Sequence, residues 1–299
     1  MSGQLKEVRD RIKSVKSTQQ ITKAMKMVSA AKLKRAQDAI VALRPYADKL
    51  DQILRNILSN LEGGASSSFG VERQVETAMV VPVTSSRGLC GGFNSNIIKD
   101  TIRVIDEELH EQRAAGKLII MPIGKKAYDF FRKNYSDCQI KNDYVTLFED
   151  LTFDSVSEVS QYIMDQFEAG EIDKIFVSYS RFKNAALQFA ETSQYLPVKK
   201  IEPKADATAS KHKADYIFEP SKEELLENLI PSILQTTFQK FLLDTHASEH
   251  GARMTAMDKA TENAEDIVKD LKISYNKARQ EAITKELSEI VGGAAALGG

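Results

Sequence analysis

The stretch Thr18–Arg35, TQQITKAMKMVSAAKLKR, decides how this chain is to be read. It holds no glycine or proline and is rich in Ala, Met, Lys and Leu, all strong helix formers. Yet the positions a helix would bury are partly polar. The segment also carries five Lys or Arg and no acid. The question it raises is what surface a long, basic, Met- and Ala-studded helix is built to meet.

The flanks place this stretch inside a much longer helix. Leu5, Val8, Ile12 and Val15 step by three and four. Leu33, Ala36, Ile40, Leu43, Ala47, Leu50, Leu54, Ile57 and Leu61 then alternate three and four without a miss, an a/d seam of the coiled-coil kind. Between Val15 and Leu33 lie two heptads plus four residues, which reads as a stutter that locally unwinds the supercoil. Pro45 falls within the second run, so a bend is expected there. If helical throughout, residues 5 to 61 span roughly 85 Å, longer than a compact domain, and part of the helix is expected to project.

Charge is unevenly spread. Up to Leu61 there are thirteen basic residues against five acidic ones, whereas Ser221 to Ile290 holds nine against thirteen. The two ends attract each other weakly, and the first keeps a surplus of positive charge for something else. Net charge over the 299 residues is only −1, and there is no Trp. Two cysteines, Cys90 and Cys138, argue against a disulfide framework. The charged N-terminus lacks the apolar core of a secretory signal, and no window is apolar enough to span a membrane.

After the linker GGASSSFG (63–70) the period changes. Short apolar runs, TAMVVPV, KLIIMPIG and DKIFVSYSRF, alternate with helical segments, which implies βαβ units and a mostly parallel sheet from about 75 to 200. ALQFAETSQYLPV is expected as an edge strand ending before Pro197. PKADATASKHKAD (203–215) reads as a mobile loop. Ser221 and Glu224 form a capping box opening a helix to about Ile290. Its first half carries a broad apolar face that includes Leu234, Phe238, Phe241 and Leu242. The expected fold is α/β: a long antiparallel two-helix coiled coil of residues 1–62 and 221–291, an inserted Rossmann-like domain at 75–200, and a flexible small-residue tip at 292–299.

The motifs with a chemical reading are weak. VVPVTSSRGLCGGFNSN has the strand, glycine loop and helix start of a phosphate cradle, but neither G-x-x-x-x-G-K-[ST] nor G-x-G-x-x-G is present. The plainer reading is a tight connection in which Gly88, Gly91 and Gly92 take backbone angles closed to other residues. His246 and His250 share a helix face, yet the Glu that a zinc protease needs after the first His is missing. The basic helix lacks the aromatic interleaving of a nucleic-acid binder.

Four blocks carry a family resemblance: ITKAMKMVSAAKLKRAQ, SSRGLCGGFNSN, ARMTAMDKATENA and YNKARQEAITKELSEIVGGAAAL. Over essentially its full length the chain resembles the gamma subunits of F-type ATP synthases, the central rotor stalk. The resemblance implies a shaft inside a hexameric ring of alternating alpha and beta subunits. Acidic loops of beta would meet the surplus positive charge, and small residues near the tip would suit a bearing. It also implies an epsilon subunit and a membrane ring of c subunits as partners, and no nucleic acid. No cofactor, metal, catalytic residue or membrane insertion is expected, and no thiol switch of the chloroplast kind. Met25, Lys26, Arg253, Arg279, Gln280, Thr284 and Glu286 would contact the catalytic ring, and several could instead hold the two helices together, Met25 and Gln280 above all. Some relatives have an acid where this chain has Lys26. Tyr216, in DYIFEP, would face the rotor ring. The implied location is peripheral, on the cytoplasmic face of the bacterial plasma membrane. Two other classes remain open: a nucleotide-binding α/β protein with helical arms, and a static coiled-coil scaffold.

Overall fold

The computed structural model describes residues 2–59, 68–198 and 222–297. Tyr216, Ser221 and the polar loop 203–215 lie outside the described residues. The chain divides into two compact units. One comprises residues up to Ala30 together with those from Arg253 on; the other comprises Ala31–Ala252.

Two long helices open and close the chain, α1 (Ser2–Ser59) and α6 (Lys222–Leu297). The α6 helix runs on through the glycines and alanines of the tip, past its expected end near Ile290. Between the two lie β1 (Ala78–Pro82), α2 (Phe93–Glu108), α3 (His110–Ala114), β2 (Leu118–Ile120), α4 (Lys125–Asn134), β3 (Gln139–Ile140), α5 (Phe153–Glu168), β4 (Lys174–Phe182) and β5 (Gln188–Leu196). The sheet order is β3-β2-β1-β4-β5. All pairings are parallel except β4 with β5, so the expected edge strand is present and antiparallel. The two-residue β3 carries too little pattern to have been anticipated.

The short strands are buried on both faces, as parallel strands must be. Alternation sorts their side chains. Met79, Val81, Ile119, Ile175 and Val177 join a cluster with Val156, Val159, Ile163 and Phe167 of α5. Ala78, Val80, Leu118, Ile120 and Phe176 join a second cluster with Ile98 and Ile105 of α2 and Phe131 of α4. Helices therefore cover both sides of the sheet.

Two boundaries differ from expectation. Phe69, at the end of the supposed linker, sits in a short 3-10 turn (Ser68–Gly70), is buried, and stacks on Phe167. Leu234, Phe238, Phe241 and Leu242 of α6 also complete the α5-side cluster. An apolar face that wide suits a sheet better than a narrow helix seam. The α/β domain thus borrows its last layer from the C-terminal helix, which does not pair with α1 alone.

Candidate functional site: the paired helix ends

The terminal unit is built from the start of α1 and the end of α6. On α1 the half-buried or buried positions are Leu5, Val8, Ile12, Val15, Gln19, Thr22, Lys26 and Ser29, with Met25 beside them. Their steps are three and four in strict alternation, and the same rhythm continues at Leu33, Ala36, Ile40, Leu43, Ala47 and Leu50. The stutter expected between Val15 and Leu33 is therefore absent. The next step after Val15 in a 3–4 alternation is four, so two heptads plus four keeps the phase. The seam is continuous; its middle is filled by polar side chains. On α6 the matching stripe is Met257, Thr261, Ala264, Val268, Leu271, Tyr275, Ala278 and Ala282, again alternating four and three.

Three contacts join the stripes. Arg9 Nη2 donates to Tyr275 Oη at 2.9 Å, with the guanidinium 5.8 Å from the ring centre. The Thr22 and Thr261 hydroxyls lie 2.8 Å apart. Lys26 forms an ion pair with Asp258. In each pair the two residue numbers add to 283 or 284, so one register holds throughout and the helix ends run antiparallel.

That register places the first residues of α1 opposite the 282 region of α6, leaving Ile283 to Leu297 beyond the end of the partner helix. Ile283, Leu287, Ile290 and Val291 there are exposed apolar side chains, as are Ile21, Met27 and Val28 on the outer side of α1. Lys13, Lys16, Lys23 and Lys32 are exposed and form no ion pair among the described residues. The helix thus turns unpaired positive charge and apolar surface outward together, and this is what TQQITKAMKMVSAAKLKR encodes.

The seven residues expected at the catalytic-ring contact separate into two groups. Met25 and Lys26 are half-buried near the seam and Arg253 is buried, while Arg279, Gln280, Thr284 and Glu286 are exposed near and past the end of α1. About 20 residues of helix, roughly 30 Å, separate the groups. Lys26 is engaged by Asp258 of its own chain. Arg9, Thr22, Asp258, Thr261 and Tyr275 were not singled out from the sequence. Carrying the heptad phase through Gln19, Thr22, Lys26 and Ser29 would have found the inter-helix polar positions.

The other candidate motifs resolve into local structure. Asn94 accepts from the Ser85 backbone N–H at 3.0 Å and donates to Ser85 Oγ at 2.9 Å and to Cys90 Sγ at 3.2 Å. The side chains of Ser85, Cys90 and Asn94 therefore satisfy one another, and Cys90 packs with Phe93 and Ile97. Of its glycines only Gly91 has positive φ, at 59°; the other left-handed residue is Leu89, at 64°. The expectation for Gly88 and Gly92 does not hold. His246 and His250 approach each other at 3.0 Å, His246 also stacking on Phe148. Among the described residues no three metal-ligating side chains come together.

An antiparallel helix pair with a lopsided, outward-facing cationic and apolar surface, carried on a chain with an inserted mostly parallel sheet, has the build of a stalk, a protein that acts by what its helices press against. The family described as ATP synthase matches residues 4–297. The ATP synthase gamma chain of Cytophaga hutchinsonii is 51% identical over 296 residues, covering 98% of each chain. That of Flavobacterium psychrophilum is 51% identical over 296 residues, covering 99% of each. A chain in the cryo-EM structure of the Euglena gracilis mitochondrial ATP synthase OSCP/F1/c-ring, in rotational state 3, is similar with TM-score 0.67 and 25% identity, over 99% of this chain and 95% of its own. A rotor chain of the same enzyme, in rotational state 1, shares the fold with TM-score 0.62 and 23% identity, over 95% of this chain and all of its own. This chain belongs to the ATP synthase gamma chain family.

Proposed function

We propose that this chain is the central shaft of an F-type ATP synthase, passing torque between a membrane ring of c subunits and a hexamer of alpha and beta subunits. The observation that carries the reading is the paired helix end, with an unpaired cationic and apolar outer face and a last helix that outruns its partner. A surrounding protein collar would complete the burial of Ile283, Leu287, Ile290 and Val291. Acidic loops on that collar would meet Lys13, Lys16, Lys23 and Lys32, setting orientation and docking rate more than raw affinity.

The mechanism follows from shape. A two-helix coiled coil has no threefold axis, so three identical catalytic subunits around it each meet a different face. Each face biases the open–closed equilibrium of its neighbour by its differential affinity for the two states, and turning the shaft moves each site through binding, conversion and release. No bond chemistry is assigned to this chain. Met25 and Lys26, each partly exposed, mark one level of ring contact, with Arg253, buried by its own chain, assigned to the same level; Arg279, Gln280, Thr284 and Glu286 mark a second. The α/β domain docks the epsilon subunit, and Tyr216 faces the c ring. No described helix is long and apolar enough to cross a membrane, which fits a peripheral placement on the cytoplasmic face of the bacterial plasma membrane.

Co-purification tests the assignment: one copy of this chain should be recovered with three alpha and three beta subunits. A disulfide from Arg279→Cys to beta should then stop turnover while nucleotide still binds. Turnover that continues with the shaft tethered overturns the rotary reading.

A further inference from the structure

An apolar a/d seam is degenerate. Sliding one helix past the other by a heptad puts apolar residues opposite apolar residues again, so nothing in Val8, Ile12, Val15, Val268 or Leu271 forbids it. In a shaft under load such a slip of seven residues, about 10 Å, is an escape route for torque.

We propose that the Thr22–Thr261 hydroxyl pair, flanked by Lys26–Asp258 and Arg9–Tyr275, is the register key of the helix pair. It fixes how far α6 extends past α1. The inference rests on the paired-helix reading above. The hydroxyls form a closed relay: one donates to the other, and the second donates to a carbonyl of its own helix, Met257 O from Thr261 at 2.7 Å or Gln19 O from Thr22 at 3.0 Å. Both side chains lie in the seam, Thr22 being buried, where a hydroxyl facing a methyl group keeps the carbonyl of its own helix and loses the inter-helix bond.

The two slipped registers can be read from the sequence. Moving α6 by one heptad in one direction sets Thr22 opposite Val268 and Arg9 opposite Ala282. Lys26 still finds an acid, Glu265. Moving it the other way sets Thr22 opposite Met254, Arg9 opposite Val268, and Lys26 opposite no acid. The ion pair therefore discriminates in one direction only, whereas the threonine pair and the Arg9–Tyr275 contact discriminate in both. The ion pair is also 40% and 45% exposed at its two side chains, so solvent weakens it. Within the terminal unit the hydroxyl pair, with Thr22 buried, is the contact that discriminates in both directions and is least open to solvent. A polar pair within a helix seam is a known way to specify register at a cost in stability.

The test uses two cysteine reporters in the purified complex during ATP turnover. Val15→Cys with Val268→Cys occupies the native register, one heptad from the threonine pair. Val8→Cys with Ala282→Cys closes only after a one-heptad slip. In otherwise unaltered protein the first should form a disulfide and the second should not. In Thr22→Val/Thr261→Val the second should close at least roughly fivefold faster, since one inter-helix hydrogen bond is lost. The melting temperature should stay the same or rise, because valine packs as well as threonine. Thr22→Ser/Thr261→Ser should restore the native pattern. If the valine variant does not assemble, Thr261→Val alone gives the same readout. An unchanged slip rate in the valine variants, or a slip reporter that closes as fast as the native one in unaltered protein, overturns the register key. Failure of both reporters to close in unaltered protein instead overturns the helix pairing itself.

Discussion

At Gly124 the backbone φ is 94°, and a Cβ would lie 2.0 Å from the carbonyl oxygen of Thr84. Gly124→Ala should therefore cost at least about 2 kcal/mol, because strained backbone and a rigid clash coincide. Denaturant unfolding of the purified chain would measure it. Asp244 makes a second residue-level case. Burial pushes its carboxyl up to about 6, against the opposing pull of Lys240, Arg44 and Arg181. The folded protein thus holds this proton more tightly than the unfolded chain does. Its contribution to stability is fully present below about pH 4 and is lost as pH rises through about 6, by on the order of 3 kcal/mol. Asp244→Asn should melt higher than the parent at pH 7.5 and about level with it at pH 4. A difference independent of pH would show that burial of the charge is not the cause.

At the scale of elements, α5 begins with Thr152, whose hydroxyl accepts from the Ser155 backbone N–H at 3.4 Å. The contact is long, so Thr152→Ala should cost about 0.5–1 kcal/mol, toward the low end of N-cap losses. Phe238 of α6 is fully buried and lies 5.7 Å from Tyr195, ring centre to ring centre. Phe238→Ala should cost about 3–5 kcal/mol through the cavity it leaves. Both are read as shifts in unfolding midpoint. The start of α1 behaves differently, because its exposed lysines hold nothing together within the chain. Alanine at Lys16, Lys23 and Lys32 should leave the melting temperature nearly unchanged, slow assembly with the catalytic subunits, and flatten the salt dependence of that rate.

For the molecule as a whole, burial predicts where hydrogen exchange is slow. Amides of β1 and β4, buried on both faces, should exchange only through global opening. Those from Thr284 to Ala294, all exposed, should exchange fast in the isolated chain and become protected in the assembled enzyme. Equal rates in both states would argue that nothing surrounds the tip.

Periodicity by itself determined the two terminal helices, the βαβ order between them and the edge strand before Pro197, because period 3.6 and period 2 are written in local spacing. Charge counting identified a helix face looking for an outside partner. The tertiary structure decided what local spacing does not encode. It gave Phe69 and the broad face of α6 to the sheet, since only the assembled sheet shows which apolar surface remains uncovered. The unbroken phase from Val15 to Leu33 was already in the spacing; the structure decided that Gln19, Thr22, Lys26 and Ser29 fill that seam, since an apolar pattern alone skips polar residues. And it paired Thr22 with Thr261 and Lys26 with Asp258, partners more than two hundred residues apart whose meeting depends on the register of two helices and on nothing in either one alone.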